Sequence, residues 1–171
     1  MTPARKKKIK LVESRRQKDL AVVLDHVDDP HNIGAILRSC DAFGIDQVHL
    51  LYEKNRPPRL GKLKTKSAAS AAKWLNIKKW NSSADMIAEL RKKKFKIAVT
   101  DLSKKAKDLT KTNLTGPVAI VIGNEHDGVS QAMTDAADLN IKIPMVGFVQ
   151  SFNVSVAAAI LMYEAFRQRT I

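Results

Sequence analysis

Three short polar segments contain most of the residues in this sequence that could take part in chemistry. Residues 25–38 read Asp-His-Val-Asp-Asp-Pro-His-Asn-Ile-Gly-Ala-Ile-Leu-Arg, residues 122–130 read Ile-Gly-Asn-Glu-His-Asp-Gly-Val-Ser, and residues 143–155 read Ile-Pro-Met-Val-Gly-Phe-Val-Gln-Ser-Phe-Asn-Val-Ser. Each segment lies at the end of an apolar run that predicts a strand. Ligands of open parallel sheets bind beyond the carboxyl ends of the strands. The three segments together therefore predict a functional site.

Several common cofactor sites are absent from the sequence. Gly123 and Gly128 have the spacing of a phosphate-binding loop, but no Lys-Ser or Lys-Thr pair follows them, which excludes a Walker motif. No Gly-x-Gly-x-x-Gly occurs. The four histidines lack the spacing of metal ligands, and the single cysteine adds no second ligand. We therefore expect no metal, and we interpret His26 and His31 as hydrogen-bonding loop residues rather than as catalysts.

Each polar residue also has a structural explanation when it is taken alone. Asn32 directly precedes a predicted helix and can be its N-cap. Glu125 can be a solvated turn residue, and Ser151 with Asn153 can cap the last helix. Arg38 lies about 165° from the mean direction of the apolar face of its helix, at ~100° per residue, so it points away from the core. A plain surface arginine is the alternative, but the coincidence of these residues at three strand ends favours a site.

Strands and helices alternate along the chain, which predicts an α/β fold with a mostly parallel sheet and helices on both faces. The predicted strands are Leu20 to Leu24, Gln47 to Tyr52, Lys96 to Thr100, Pro117 to Ile122 and Ile141 to Ile143. The predicted helices are residues 33–43, ended by Gly44, then Ser67 to Trp74, Ser83 to Lys94, Ser130 to Ala137 and Ser151 to Arg167. The last helix is apolar almost all round, so we expect it to be buried partly in its own domain and partly against a second subunit.

The formal net charge of +13 over 171 residues predicts a polyanionic partner, most often a nucleic acid. We divide the chain into a basic N-terminal segment, residues 1–18, and one domain, residues 19–171. A second group of cations is Lys54, Arg56, Arg59, Lys62, Lys64 and Lys66. One cysteine, Cys40, allows no internal disulfide and favours a reducing, cytoplasmic location. No apolar run approaches the roughly 18 residues of a membrane span.

Taken together, the three segments resemble the motifs of the SpoU (TrmH-type) family of RNA ribose 2′-O-methyltransferases, within the SPOUT superfamily. The first motif is similar to residues 29–38, the second to residues 121–129 and the third to residues 143–157. The resemblance covers about residues 15–168. Within the family, residues 14–20, 145–153 and 163–169 are most similar to the members that methylate guanosine 18 of tRNA.

The resemblance implies a deep trefoil knot near the C-terminus, a homodimer whose active sites use both subunits, and S-adenosylmethionine as methyl donor. The donor-binding residues that it implies are Thr100, Gly123, Ile143, Met145 and Phe152. It implies that Arg38 is the catalytic arginine and acts in the site of the other subunit. The remaining motif residues, which would position Arg38, the ribose and the donor, are Asn32, Glu125, Ser151 and Asn153. Because a guanidinium group stays protonated, we expect Arg38 to orient the hydroxyl and a phosphate rather than to act as the base.

Other functions stay open at this point. The members that act on guanosine 18 commonly continue past the third motif with a helical extension, whereas this sequence ends at Ile171. The substrate can therefore be rRNA or another tRNA position. A catalytically inactive RNA-binding protein of the same fold is a second class, and the intact motifs argue against it. A nucleotide-binding phosphotransferase is disfavoured by the missing Walker motif.

Overall fold

A computed structural model describes residues 1–54, 71–103 and 105–170 of the chain. Within these ranges seven strands form one sheet in the order β3-β2-β1-β6-β4-β7-β5, and all the neighbouring strands are parallel. The strands are β1 (Gln17–Asp25), β2 (Ile45–Leu51), β3 (Asn76–Trp80), β4 (Lys96–Thr100), β5 (Lys107–Asp108), β6 (Val118–Ile122) and β7 (Leu139–Lys142). The helices are α1 (Pro3–Ser14), α2 (Pro30–Ala42), α3 (Ser83–Lys92), α4 (Gln131–Asp135) and α5 (Val154–Thr170), with a 3₁₀ turn at Leu109–Lys111.

The centre of the sheet is β1 with β6, and both strands are buried on both faces. From Leu20 to Asp25 every residue of β1 is buried. Leu20, Val22 and Leu24 pack in one apolar cluster with α2 and α5, whereas Ala21 and Val23 pack in a second cluster with α3 and α4. Because side chains alternate along a strand, the clusters lie on opposite faces of the sheet. Helices therefore cover both faces, and the predicted α/β architecture is confirmed.

Helix α2 follows from its own sequence. Ile33, Ile36, Leu37 and Cys40 are fully buried, which is the apolar face predicted from their spacing. The helix begins earlier than predicted because Pro30 is tolerated at a first helical position and the Asp29 side chain accepts a hydrogen bond from the backbone N–H of His31 at 2.9 Å. Gly44 adopts φ +70° just beyond Phe43, which confirms it as the helix stop.

Some element boundaries differ from the sequence predictions for local reasons. Helix α3 ends at Lys92 because Lys94 has a positive φ of 63°. Strand β7 begins at Leu139, where pairing with β4 begins. Helix α4 covers only Gln131–Asp135. The predicted helix from Ser67 to Trp74 lies partly outside the described residues, and its described part is helical only at residues 71 and 72. Three elements were not predicted: α1, the Lys-containing edge strand β3 and the two-residue β5.

Helix α5 is buried along one side and open along the other. Val154, Ala158, Leu161, Met162 and Ala165 are buried, and the helix packs against α2 and β6. On the open side Val156 and Tyr163 are 46% and 50% exposed. Within the described residues, no helix is long and apolar enough to cross a lipid bilayer.

Candidate methyl-donor and RNA site

A cleft of about 450 Å³ opens at the carboxyl ends of β4, β6 and β7, beside the start of α5. All five residues predicted to bind a donor line this one cleft: Thr100, Gly123, Ile143, Met145 and Phe152. Glu125, Ser151 and Asn153 also line it. The tertiary structure therefore brings together residues from three separate parts of the sequence, as expected for an open parallel sheet.

Asn32, Glu125 and Asn153 form a hydrogen-bonded row at the rim of the cleft. The side-chain amide of Asn32 donates to Glu125 Oε1 at 2.6 Å, and the amide of Asn153 donates to Asn32 Oδ1 at 3.1 Å. The interpretation of Asn32 as an N-cap is wrong, because Asp29 caps α2. Asn32 lies in the first turn of the helix instead, so its side chain can reach across to the other two motifs.

Asn153 has two structural connections. Its Oδ1 accepts hydrogen bonds from the backbone N–H and the hydroxyl of Ser155, at 2.9 and 2.6 Å. Because Ser155 lies in the first turn of α5, Asn153 caps this helix, as one of the sequence interpretations held. Its amide group is directed the other way, toward Asn32. The start of α5 is thereby joined to the start of α2. Ser151 is exposed at the rim of the cleft.

The turn that carries Glu125 is closed by its own backbone. Asn124 and Gly128 exchange two backbone hydrogen bonds, at 2.9 and 3.0 Å. Gly123 precedes this turn, and a Cβ atom added there would lie 2.2 Å from the carbonyl carbon of Gly128. A glycine at position 123 is therefore required by the close approach of two backbone segments.

Arg38 is exposed on α2, on the side away from the buried Ile36 and Leu37. This placement agrees with the helical-wheel prediction. Arg38 does not line the cleft of its own chain. At 1.5 Å of rise per residue, it lies about 9 Å along α2 from Asn32. The predicted arginine and the predicted donor residues are therefore on neighbouring but separate parts of the surface.

Comparison with known proteins identifies the family. The sequence model of the SpoU rRNA Methylase family matches residues 19–163. This chain belongs to the SpoU methylase family. The tRNA (guanosine(18)-2'-O)-methyltransferase of Escherichia coli strain K12 is 38% identical over 169 residues, which is 99% of this chain and 72% of that protein. The enzyme of the same name from Thermus thermophilus is 39% identical over 168 residues, 98% of this chain and 84% of that protein.

Solved structures agree with this assignment. The TrmH/SpoU tRNA modifying enzyme of A. aeolicus superposes with a TM-score of 0.83 at 35% identity, covering 95% of this chain and 83% of that one. The SpoU methyltransferase AviRb from Streptomyces viridochromogenes, solved in complex with AdoMet, has a TM-score of 0.78 at 26% identity. The superposition covers 89% of this chain and 58% of the AviRb chain.

The cleft of this SpoU methylase has the chemistry that an S-adenosyl group requires. Its volume lies within the ~300–1,000 Å³ of small-molecule sites. Ile122 and Ile141 supply a buried apolar floor, against which an adenine ring can pack. At the rim the carboxylates of Asp101 and Glu125 are of the sign that stabilises a positively charged sulfur. Within the part of the chain that the structure describes, no group of His, Cys, Asp and Glu could hold a metal ion.

The basic N-terminal segment of the SpoU methylase forms an exposed helix. The cations of α1, Arg5, Lys6, Lys7, Lys8 and Lys10, are all exposed. Arg16 is different, because its side chain is only 7% exposed and pairs with Asp41 at 2.8 Å. It also donates to the carbonyl oxygens of Ile45 and Trp74. Arg16 is therefore bound within the fold, although it lies in the basic N-terminal segment. Of the second predicted basic group, only Lys54 lies within the described residues.

Four residues that help to build the site were not assigned a site role from the sequence. Asp101 and Lys142 line the cleft, Asn124 closes the turn of Glu125, and Asp25 is a fully buried carboxylate at the end of β1. Each of them lies within two residues of the carboxyl end of a strand. That position was the available signal, and a charged residue directly after a continuous apolar run was a second one for Asp25.

The residues behind the first motif have shifted acidities. The pKa of the Tyr52 phenol lies well above its ordinary value, chiefly because the group is desolvated, and its hydroxyl donates to the carbonyl oxygen of Val27. The pKa of Glu53 is lowered because the carboxylate accepts a hydrogen bond from the backbone N–H of Ser83. Both groups therefore keep one charge state across the neutral range. Tyr52 anchors the loop that follows β1, and Glu53 holds the start of α3.

Proposed function

We propose that this SpoU methylase transfers the methyl group of S-adenosylmethionine to a ribose 2′-hydroxyl of RNA, and that its target is guanosine 18 of tRNA. The observation that carries the proposal is the convergence of all five predicted donor residues on one cleft. The row Glu125–Asn32–Asn153 lies beside them. The substrate is supported by the 38–39% identity, over nearly the whole chain, to enzymes named for guanosine 18.

The residues of the chain would divide the work between donor and acceptor. When bound, S-adenosylmethionine supplies a methyl group on a positively charged sulfur. Ile143, Met145 and Phe152 would hold the apolar part of the donor. Thr100, at the end of β4, and Gly123, directly after β6, would also contact the donor. The Asn32–Glu125–Asn153 row would hold the ribose in line with the methyl group. Such alignment is a large part of catalysis when the nucleophile is weak.

Arg38 would orient the ribose hydroxyl and the adjacent phosphate. Its planar guanidinium group can donate two parallel hydrogen bonds to a phosphate, which an ammonium group cannot do. Because Arg38 lies outside the cleft of its own chain, we propose that it acts in the cleft of a second subunit. The hydroxyl proton would leave to a phosphate oxygen or to water.

A homodimer would bring such a second subunit into place. The loop before α5 carries Val146 and Phe148 fully exposed, with Val149 67% exposed. Val156 and Tyr163 on the open side of α5 are also exposed, and burial of such apolar side chains would favour association with a second subunit. We also propose that the chain is knotted near its C-terminus. In support, β7 lies beyond β4 in the sheet, whereas α5, which follows it, returns to pack on α2 and β6.

Lysine and arginine side chains on α1 would bind the RNA backbone. Their exposed charges suit contacts with phosphates, which position a protein but carry little sequence information. Selection of the nucleotide would therefore depend on the surface around the cleft. A cytoplasmic location, which the single cysteine favours, stays a prediction.

Methyl transfer from labelled S-adenosylmethionine tests the proposal directly. The purified protein is incubated with an unmodified tRNA transcript and with a matched transcript that carries 2′-deoxyguanosine at position 18. We expect incorporation into the first RNA alone, because the second lacks the acceptor hydroxyl. Mass spectrometry of the digested tRNA then locates the methylated nucleotide.

Other outcomes would assign a different function. Equal incorporation into both transcripts would move the target to another tRNA position. Incorporation into ribosomal RNA alone would contradict the tRNA assignment. Tight RNA binding with no incorporation into any RNA would favour an inactive RNA-binding protein.

A further inference from the structure

We infer that Asp25 and His26 are positioning residues that hold the turn carrying Glu125 in place for methyl transfer. The inference rests on the function proposed above. It concerns a pair at the carboxyl end of β1 that lies behind the cleft and does not line it. Because neither residue lines the cleft, any effect of the pair on the reaction passes through the turn.

The Asp25 carboxylate is fully buried, and it bonds in two directions. Its Oδ1 lies 2.6 Å from His26 Nδ1, and its Oδ2 accepts a hydrogen bond from the backbone N–H of Ser130 at 2.7 Å. A buried carboxylate is expensive unless both oxygens have partners. Here one partner, His26, belongs to the loop after β1, and the other, Ser130, lies two residues beyond Gly128, which closes the turn that contains Glu125.

The surroundings of His26 determine which ring nitrogen carries the proton. Nε2 lies 3.2 Å from the backbone nitrogen of Glu53, which can only donate a hydrogen bond. Nε2 is therefore the unprotonated acceptor, and Nδ1 carries the proton that is donated to Asp25. A neutral ring in this one tautomer satisfies both contacts. If both ring nitrogens were protonated, the Nε2–H group of His26 and the backbone N–H of Glu53 would be two donors directed at each other.

The backbone of His26 supports the near end of the same turn. His26 adopts a positive φ of 55°, which is uncommon outside glycine, although asparagine, aspartate and histidine adopt it more often than other residues. Its carbonyl oxygen accepts a hydrogen bond from the side-chain amide of Asn124 at 2.7 Å. The Oδ1 atom of Asn124 in turn accepts from the backbone N–H of His126 at 2.8 Å. The Asp25–His26 pair thus contacts Asn124 at the near end of the turn and Ser130 two residues beyond its far end.

The geometry of the rim follows from these two supports. Between the supported ends lies Glu125, whose Oε1 is 2.6 Å from the amide nitrogen of Asn32. If the turn moved by about 1 Å, this hydrogen bond would be lost, and a misplacement of that size can cost about 100-fold in rate. Loss of the His26 ring should therefore reduce kcat through Glu125, although the ring itself touches no substrate.

Two substitutions at position 26 separate the side chain from the backbone. His26→Gly accepts the positive φ but removes the donor to Asp25. His26→Asn also tolerates the positive φ, and its Nδ2 is attached to Cγ just as the Nδ1 of histidine is, so it can donate to the same oxygen. We expect kcat to fall about 10- to 100-fold in His26→Gly, with the KM for RNA changed less than about threefold. His26→Asn should restore kcat to within about threefold of wild type.

Asp138→Asn is the control for a purely structural effect. Asp138 also holds a backbone N–H at 2.7 Å, that of Ile97, with an arginine as its second partner. It lies at the opposite end of the sheet from the cleft. We expect Asp138→Asn to lower the midpoint of thermal unfolding and to leave kcat unchanged at a temperature where the protein is folded. A kcat of His26→Gly equal to wild type, or a His26→Asn variant as impaired as His26→Gly, would overturn the inference.

Two measurements on the folded protein test the positioning without any methyl transfer. The ¹⁵N chemical shifts of the wild-type His26 ring should show an unprotonated Nε2, and the amide hydrogen of Ser130 should exchange faster in His26→Gly than in His26→Asn. A protonated Nε2 or equal exchange would contradict the inference, including the case in which His26→Gly is too unstable for kinetics. If the wild type methylated no RNA, the proposed function would fail, and these two measurements would still decide the role of His26.

Discussion

Replacement of Gly123 by alanine should damage the donor cleft. The new Cβ would lie 2.2 Å from the carbonyl carbon of Gly128, 2.3 Å from its oxygen and 2.3 Å from the backbone nitrogen of Val129. Non-bonded carbon atoms prefer about 3.5–4.0 Å. The two backbone segments must therefore separate by more than about 1 Å, and no flexible side chain can absorb this movement.

The expected magnitude follows from that displacement. Overpacking of a close contact costs about 1–3 kcal/mol and occasionally more. For a domain of this size each kcal/mol lowers the unfolding midpoint by about 2–4 °C, so we expect a decrease of about 2–12 °C. Because Gly123 and the following turn line the cleft, the affinity for S-adenosylmethionine should fall at least about tenfold, which corresponds to about 1.4 kcal/mol.

Gly147→Ala provides the matched control for this substitution. Position 147 has no atom within 4 Å of an added Cβ, and its φ lies outside the positive region. It should therefore keep both the unfolding midpoint and the donor affinity of the wild type. Differential scanning calorimetry and isothermal titration with S-adenosylmethionine measure the two quantities. A Gly123→Ala protein that binds the donor as tightly as Gly147→Ala does would refute the steric argument.

Four further predictions concern other parts of the protein. Arg38→Ala should abolish methyl transfer while calorimetric donor binding survives, and Arg38→Lys should rescue little because an ammonium group lacks the planar fork; a parallel loss of donor binding would make Arg38 a folding or binding residue. Mixed dimers of Arg38→Ala and Asn153→Ala chains should regain activity in one of their two sites, and confirmed mixed dimers without activity would place each site within one chain. Deletion of residues 1–13 should weaken tRNA binding and make it less dependent on salt. The slope of log affinity against log salt concentration should change by about 0.7–0.9 for each phosphate that the shortened protein no longer binds. A shift of the methylated nucleotide would show that α1 also selects the target. Burial, with Lys93 and Lys78 nearby, lowers the pKa of His49 to about 4, so the folded protein keeps this ring neutral while the unfolded chain takes up a proton near pH 6.5. The free energy of unfolding should therefore fall by about 3 kcal/mol as the pH decreases from about 6.5 to 4, at about 1.4 kcal/mol per pH unit. A His49→Gln variant whose stability falls with the same slope would contradict this prediction.

Local sequence determined the elements whose signals are contained within a few residues. The continuous apolar run from Leu20 to Leu24 predicted a doubly buried strand, and the spacing in residues 33–43 predicted the buried face of α2 and the exposure of Arg38. These predictions succeeded because periodicity and burial are set by neighbours along the chain. The basic segment carried no apolar periodicity of this kind, so α1 was missed. The weakly paired edge strands β3 and β5 were missed for a similar reason, because their pairing depends on a partner far along the chain.

Sequence motifs determined which residues belong to the cleft, and the tertiary structure decided what several of them contact. Asn32 directly precedes the apolar pattern of residues 33–43, and that local context suggested a capping role. Its actual partners, Glu125 and Asn153, lie 93 and 121 residues away. Arg16 belongs to a run of cations in the sequence, yet its charge is taken up by Asp41 once β1 and α2 lie side by side. The bond from Ser130 to Asp25 spans 105 residues. A polar side chain near the end of a strand can form a hydrogen bond with whichever segment the sheet places beside it. Local sequence therefore predicted that these residues lie near the site, but it did not determine their hydrogen-bond partners.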